Sequence, residues 1–184
     1  MKNNIWVGSK VWLRAVEAKD ASSFFKWAKD YDTESDRLCD VIHFPGSYQK
    51  MKDHVEALSK AEPENDNFRW IIADLKGKAL GTINTFSCDK RNGIFKYGLG
   101  IERKYWGKGY AKEAIKIVLN YYFMELGFQK VNVHIYDFNE RSLRLHEKLG
   151  FKKEGTLRSM VYTNGKHHDE IVMGLTRKEF NELK

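Results

Sequence analysis

A strand-like apolar run that ends at residues 99–101 leads into a glycine-containing turn and then into a long helical pattern. The turn reads Lys-Tyr-Trp-Gly-Lys-Gly-Tyr-Ala over residues 104–111. Because glycine has no Cβ, two glycines separated by one residue let the backbone approach a bulky anion closely. The N-terminus of the following helix directs free N–H groups and a partial positive charge to the same place, where Lys104 and Lys108 add full charges. The segment therefore predicts a phosphate-binding turn between a strand and a helix.

Three other interpretations of the glycine turn start from the same residues. The simplest is a flexible surface turn that caps a helix and binds nothing. A dinucleotide-binding turn is disfavoured because the third glycine is missing, the preceding strands read as antiparallel, and Asp137 follows after about thirty residues where ~20 is expected. A Walker A loop is excluded because the chain has no Gly-Lys-Ser or Gly-Lys-Thr sequence.

The length and the cysteine content bound the class of protein. A chain of 184 residues fits one domain, residues 1–184, with a core large enough to fold without disulfides. The two cysteines, Cys39 and Cys88, show no metal-binding or redox spacing. No apolar run approaches the ~18 residues that cross a bilayer, and the N-terminus does not resemble a signal peptide. We therefore expect a cytoplasmic protein with no membrane partner.

The net charge of +7 is spread along the chain instead of being concentrated in one block. A nucleic-acid groove is typically built from clustered lysines and arginines, so the composition favours a solvated basic surface over nucleic-acid binding. A small polyanionic ligand, such as a nucleotide cofactor, fits the same charge.

Hydrophobic periodicity and turn residues divide the chain into strands and helices. The predicted strands span residues 10–15, 68–73, 79–88, 94–101, 131–136, 152–162 and 166–175. The predicted helices follow the cap residues Asp20, Ser47 and Asn139 and the glycine turn. Short turns join the three middle strands into an antiparallel meander, and the helix after strand 94–101 allows a parallel pair with strand 131–136. The fold class is therefore α+β, with a mixed sheet of about seven strands, a C-terminal hairpin and about four helices.

Two sequence blocks together resemble the GNAT superfamily of acyl-CoA-dependent N-acyltransferases. The first matches the family's Q/R-x-x-G-x-G/A signature, with Lys104 in the first position, Gly107 and Gly109 in the glycine positions and Ala111 shortly after. The second, residues 139–151, resembles the family's N-x-x-[SA]-x-x-[LV]-Y-E-K-x-G-F helix. Within the family, the chain is most similar to the branch that holds ribosomal-protein N-terminal alanine and spermidine acetyltransferases.

The resemblance implies an acetyl-CoA-dependent N-acetyltransferase that transfers the acetyl group directly to a primary amine and needs no metal. In the family, acetyl-CoA lies in a V-shaped opening between two strands, here 94–101 and 131–136, with its pyrophosphate on the glycine turn. The cofactor-binding core then spans about residues 68–175, and the acceptor-side region spans about residues 20–67. The implied cofactor-binding residues are Leu99, Gly100, Ile101, Lys104, Trp106, Gly107, Lys108, Gly109, Tyr110, Ala111, Asn139 and Ser142. The acceptor is left open among a small-molecule amine, a polyamine and a protein N-terminus, and a homodimer is common in the family.

His146 occupies the position where the family commonly places a tyrosine that protonates the leaving thiolate. A histidine with an ordinary pKa near 6.5 can give or relay a proton at neutral pH, so His146 is predicted to be the catalytic acid. The alternative is a histidine that only packs against the cofactor. Tyr136 and Tyr162 are further candidates for the missing tyrosine. No general base is identified, which leaves attack assisted by ordered water.

An acidic cluster includes Asp32, Glu34 and Asp36. In a basic protein such a cluster can attract a polyamine or a basic peptide, so these residues are predicted to bind the acceptor. A solvated loop is the alternative. The missing tyrosine and the unassigned base also leave open a second class of function, a non-catalytic acyl-CoA-binding sensor or interaction module with the same fold.

Overall fold

Seven strands form one sheet in the computed structural model, which describes residues 4–29 and 44–183. The strands are β1 (Val11–Ala15), β2 (Arg69–Asp74), β3 (Ala79–Asp89), β4 (Ile94–Ile101), β5 (Lys130–Tyr136), β6 (Lys152–Thr163) and β7 (Lys166–Thr176). They lie in the order β1-β2-β3-β4-β5-β7-β6. All neighbours are antiparallel except β4 and β5, which are parallel. The predicted meander, parallel pair and C-terminal hairpin are confirmed.

The described residues contain five α-helices, where the sequence predicts about four. They are α1 (Ala21–Lys29), α2 (Tyr48–Ser59), α3 (Tyr110–Asn120), α4 (Glu140–Glu147) and α5 (Arg177–Glu182). The additional helix is α5, which starts with a capping box: the Thr176 hydroxyl accepts a hydrogen bond from the Glu179 N–H, and the Glu179 carboxylate accepts one from the Thr176 N–H. Across these two described ranges, no helix has the length and apolar character needed to cross a bilayer.

Of the predicted helix caps Ser47 and Asp20, the first caps its helix and the second does not. Ser47 caps α2, because its Oγ accepts a hydrogen bond from the Lys50 N–H at 3.1 Å. Asp20 instead lies in a 3-10 turn before α1, and its buried carboxylate binds both terminal guanidinium nitrogens of Arg14 at 2.7 and 2.8 Å. The charge of Asp20 therefore holds the end of β1 to the start of α1.

Alternating side chains on the strands build an apolar core on each face of the sheet. The larger core packs the sheet against α3, α5 and the residues that follow α4, and it includes Phe95, Tyr97 and Val133. The smaller core packs the other face against α1 and α2, and it includes Val55 and Ile71. Because successive side chains of a strand point to opposite faces, the even-numbered residues of β4 and β5 face the α1 and α2 side.

The parallel strands β4 and β5 are paired over only three positions. The last pair is Lys96 with Asn132, although β4 continues to Ile101 and β5 to Tyr136. Beyond this point β4 stays paired with β3, and β5 stays paired with β7. The two strands therefore diverge, and the sheet opens at their C-terminal ends.

The carboxylate of Glu113, in the first turn of α3, fixes the segment before β1. It accepts hydrogen bonds of 2.6 to 2.8 Å from the Ser9 N–H and hydroxyl and from the N–H groups of Lys10 and Val11. Burial tends to raise the pKa of Glu113, but these donors outweigh it and the pKa lies below its usual range. Residues 9–11, which lead into β1, are thereby attached to the helix that follows the glycine turn.

We expect Glu113→Ala to lower the free energy of unfolding at pH 7 by about 2 kcal/mol, because three backbone donors lose a charged acceptor. Since the pKa of Glu113 is lowered on folding, this stabilisation is present above the ordinary pKa of 4.5 and is lost as the pH falls through the folded-state value. Urea denaturation at pH 7 and below pH 4 measures both effects. The matched control is Glu140→Ala, which removes an exposed pair with Arg144 and an exposed negative charge from the first turn of α4 and should cost less than ~1 kcal/mol. Equal losses in the two variants would contradict the attachment.

Candidate functional site

A groove of about 910 Å³ opens at the C-terminal end of β4, beyond the point where β4 separates from β5, and no residue of β5 lines it. Its walls come from the end of β4, the glycine turn, the first turn of α3 and one side of α4, and Trp27 of α1 also lines it. The fold therefore brings together residues 99–111 and residues 139–142, which are separated in the sequence by a helix and a strand. The predicted cofactor-binding residues that line the groove are Leu99, Gly100, Ile101, Trp106, Gly107, Gly109, Tyr110, Ala111, Asn139 and Ser142.

The glycine turn has a backbone that other residues adopt only with strain. Gly107 and Gly109 have φ values of +77° and +84°. Helix α3 begins immediately after Gly109, and the Glu113 N–H donates to the Gly109 carbonyl at 3.2 Å. The N–H groups of residues 110–112 therefore have no acceptor within the helix, and these residues line the groove. The indole N–H of Trp106 donates to the Ile101 carbonyl at 2.6 Å and holds the turn against the end of β4.

The edge of β4 presents backbone donors to the opening. The Glu102 N–H donates to the Leu80 carbonyl at 2.9 Å. In an antiparallel ladder such pairs recur at every second residue, so the even-numbered residues of β4 bond to β3. The N–H groups of Leu99 and Ile101 therefore point to the other edge, where β5 has diverged. Fixed donors of this kind can stabilise an oxyanion.

Basic side chains line the groove beside the helix N-terminus: Arg103, Lys112, Arg141, Arg144 and Lys148. The Arg141 guanidinium lies 4.4 Å from the centroid of the Trp106 ring, a cation–π arrangement. Burial lowers the pKa of Arg141, but an arginine side chain stays charged at neutral pH. Such cations suit a polyphosphate ligand. The sequence did not identify them, because they meet only when α4 packs beside the glycine turn.

Lys104 and Lys108, which the sequence predicts to contact the cofactor, are not among the residues that line the groove. The Lys104 ammonium lies 2.5 Å from the carboxylate of Glu102, an attachment that raises the pKa of Lys104. Lys108 contributes its backbone carbonyl, which accepts a hydrogen bond from the Lys10 ammonium at 3.2 Å. These protein partners differ from the cofactor contact that the motif suggests.

Glu102 connects α1 to the glycine turn. Its carboxylate, with a side chain 8% exposed, lies 3.1 Å from the Lys26 ammonium and 2.5 Å from that of Lys104, and it accepts a hydrogen bond from the Trp27 indole. Burial tends to raise the pKa of Glu102, but the two lysines outweigh it and the pKa is lowered. Glu102 is therefore ionised at neutral pH and fully engaged with α1 and the turn.

His146 lies beneath the groove and does not line it. Only 2% of it is exposed. Its Nδ1 lies 2.8 Å from the carbonyl oxygen of Ser142, and its Nε2 lies 2.8 Å from the Tyr97 hydroxyl. Because a carbonyl only accepts, we assign the ring proton to Nδ1, so Nε2 accepts a hydrogen bond from Tyr97. Burial lowers the pKa of His146, so the ring is neutral at pH 7. A neutral ring with this tautomer has no proton on Nε2 to give, and the arrangement does not support the predicted acid role.

The other predicted residues lie as follows. Asn139 caps α4, since its Oδ1 accepts a hydrogen bond from the Ser142 N–H at 3.0 Å. Tyr136 packs against Phe138, Tyr162 is 63% exposed, and neither lines the groove. The predicted acceptor residues Asp32, Glu34 and Asp36 fall outside the described residues. Among residues 4–29 and 44–183, no three His, Cys, Asp or Glu side chains are placed to hold a metal ion together.

Comparison with known proteins identifies the class to which this fold and groove belong. A family model described as the acetyltransferase (GNAT) domain matches residues 10–152. The chain is 44% identical over 175 residues to the SPbeta prophage-derived uncharacterized N-acetyltransferase YokL of Bacillus subtilis, with 95% of this chain and 94% of that protein covered. It is 32% identical over 104 residues to the putative ribosomal N-acetyltransferase YdaF of the same organism, covering 56% and 57% of the two chains.

The fold also matches that of a solved structure, the spermidine N-acetyltransferase from Vibrio cholerae in complex with CoA and spermine. The TM-score is 0.80 with 19% sequence identity, over 95% of this chain and 99% of that chain. The chain therefore belongs to the GNAT family of acetyltransferases. Its relatives are named N-acetyltransferases, and they include ribosomal and spermidine acetyltransferases.

The buried Tyr97–His146 pair predicts a stability coupling that a double-mutant cycle can measure. Tyr97→Phe leaves the His146 Nε2 buried without a donor, so it should lower the free energy of unfolding by ~1–3 kcal/mol. Replacing both partners by phenylalanine removes the orphaned nitrogen, so Tyr97→Phe/His146→Phe should cost less than the sum of the two single variants. Urea denaturation of the four proteins gives the coupling energy. Additive losses would show that the two side chains do not interact.

Proposed function

We propose that this protein is an acetyl-CoA-dependent N-acetyltransferase that transfers the acetyl group directly to a primary amine. The observation that carries the proposal is the divergence of β4 and β5 with the positive-φ glycine turn and the N-terminus of α3 beside it. A wedge of this form accepts an extended thioester arm, and the helix N-terminus beside it accepts a phosphate. The CoA complex of the Vibrio cholerae relative supports the same ligand class.

The residues of the groove divide the binding of acetyl-CoA between them. The N–H groups at the start of α3, together with Gly107 and Gly109, hold the pyrophosphate. The cationic rim around Arg141 attracts the remaining phosphate, and Asn139 and Ser142 contribute polar groups from the start of α4. The Leu99 and Ile101 N–H groups face the thioester carbonyl, where they stabilise the negative charge that develops on oxygen.

The acceptor in this proposal is an amine that arrives from the α1 side of the groove. An alkyl ammonium with a pKa near 10 is neutral in only about one molecule in a thousand at pH 7, so transfer requires removal of a proton. The names of the spermidine and ribosomal relatives support a polyamine or a protein N-terminus, and a small-molecule amine belongs to the same class. In this proposal the carboxylates of Asp32, Glu34 and Asp36 attract the cationic acceptor.

Departure of the thiolate does not require His146 in this proposal. After attack, the nitrogen of the tetrahedral intermediate carries a proton that the departing sulfur can take. His146 and Tyr97 instead fix α4 to the end of the paired part of β4 from beneath the groove.

Gly109→Glu should abolish acetyl-CoA binding, because a side chain there is strained and places a negative charge at the phosphate site. At a ligand concentration one hundred times Kd, the wild type should gain about 2.7 kcal/mol of stability, and Gly109→Glu should gain none. Thermal unfolding with and without acetyl-CoA measures the gain, and calorimetry gives Kd.

The matched control is Gly127→Glu, which introduces the same side chain at a glycine with φ of +76° beyond the far end of α3. This variant should be less stable than the wild type and still bind acetyl-CoA. Equal affinity for acetyl-CoA in Gly109→Glu and Gly127→Glu would show that the phosphates do not bind at the glycine turn.

Catalysis is tested by the release of CoA thiol from acetyl-CoA in the presence of spermidine, a peptide that begins with alanine, or phenethylamine. We expect thiol release that depends on at least one amine, with the acetylated amine identified by mass spectrometry. Binding of acetyl-CoA without amine-dependent release would favour the non-catalytic acyl-CoA-binding module.

In the same assay, Tyr97→Phe/His146→Phe should keep substantial turnover. A loss of turnover without loss of acetyl-CoA binding would instead support the acid role of His146.

A further inference from the structure

Two histidines are hydrogen-bonded to carboxylates beside the β5–β7 ladder. His134 Nδ1 lies 3.0 Å from the Glu170 carboxylate, and His168 Nδ1 lies 3.1 Å from the Asp137 carboxylate. The two pairs differ in position. His134 lies within β5, whereas Asp137 follows the end of β5 and the His168 ring packs 4.5 Å from the Phe138 ring.

His134 does not line the groove itself. It lies on β5 where the sheet opens, on the side from which the acceptor is proposed to arrive. The last paired residues of β4 and β5 are Lys96 and Asn132, and His134 is the next residue of β5 on the same face as Asn132. Val133 and Ile135 point into the core shared with α3. His134 therefore faces the α1 and α2 side of the sheet, next to the edge of β5 that β4 has left.

The carboxylate of Glu170 sets the tautomer of His134. An ionised carboxylate only accepts hydrogen bonds, so Nδ1 carries the ring proton and Nε2 carries the lone pair. The side chains are 28% exposed for His134 and 17% exposed for Glu170. The Glu170 carboxylate is thus largely shielded from solvent, while the His134 imidazole stays accessible to a substrate. This is the arrangement of a general base held by a positioning residue.

The other groups near the groove that could accept a proton are already engaged. Glu102 is bound to Lys26 and Lys104, and Glu113 is bound to the segment before β1. Both ring nitrogens of His146 have partners within the core. Among the described residues, the titratable groups on the same sheet face as His134 include Lys96 on β4, Lys130 and Tyr136 on β5, Glu154 on β6 and Glu170 on β7. Lys130 is paired with Glu154 at 2.6 Å.

We infer that His134, positioned by Glu170, is the base that removes the proton from the acceptor ammonium. The inference rests on the proposed acetyl transfer. His134 Nε2 takes one proton from the ammonium, the freed amine attacks the thioester carbonyl carbon, and a C–N bond forms. The C–S bond then breaks, the sulfur takes the second proton from the nitrogen, and the imidazolium returns its proton to solvent. The products are the amide, CoA thiol and one proton.

The test compares His134→Gln, Glu170→Gln and the matched control His168→Gln, using whichever amine of the panel the wild type acetylates. The wild-type kcat/KM should rise with pH and level off below the pKa of the amine, because a protein base removes the proton from the bound ammonium. In His134→Gln it should be about a hundredfold lower at pH 7 and should keep rising up to the pKa of the amine, because only the neutral amine then reacts. Glu170→Gln should lower kcat/KM by a smaller factor and should displace the rising part of the pH profile. His168→Gln should have the same kcat/KM and pH profile as the wild type.

Affinity for acetyl-CoA and the melting temperature are measured on every variant and should stay at the wild-type values. If the wild type is active and His134→Gln has an unchanged pH profile, His134 is not the general base, and the proposed function is unaffected. A loss of acetyl-CoA affinity equal to the loss of kcat/KM also overturns it, since His134 would then act in binding. A wild type that releases no CoA thiol with any amine overturns the proposed function and the base with it.

Discussion

The candidate site depends on the divergence of β4 from β5. After three paired positions, β4 keeps its bonds to β3 and β5 keeps its bonds to β7, so neither strand can close the gap. The opening frees the edge of β4 at Leu99 and Ile101 and gives His134 an unpaired flank. The glycine turn, the start of α3 and the cap of α4 all lie beside this opening, because they follow β4 and β5 in the chain.

Charge is distributed unevenly around the groove, with carboxylates near α1 and β1 and cations near α4. Near α1 and β1, the carboxylates of Glu102 and Glu113 are engaged with lysines and backbone donors, so they hold the walls together. Near α4, cations including Arg141 line the groove itself. Among the described residues, the lining of the groove carries five basic side chains and one carboxylate, so positive charge is in excess where a polyphosphate would lie.

The sequence predicts those parts of the site that depend on local backbone. Gly107 and Gly109 form the predicted turn, where both have positive φ, and Asn139 caps α4, because a turn and a helix start are set by neighbouring residues. The partner of His146 could not be predicted, since Tyr97 becomes its neighbour only through packing. Glu102 lies two residues before Lys104, so that ion pair could have been predicted. Helix α5 could have been predicted from its Thr-x-x-Glu capping box.

We propose that acetyl-CoA lies beside β4, in the opening between β4 and β5, with its phosphates on the glycine turn. Backbone amide NMR during titration with acetyl-CoA measures where the ligand lies. We expect the largest shifts on the amides of Leu99, Ile101 and residues 107–112, with slower hydrogen exchange at Leu99 and Ile101. Saturable binding that leaves these amides unchanged and shifts another part of the sheet would contradict this placement.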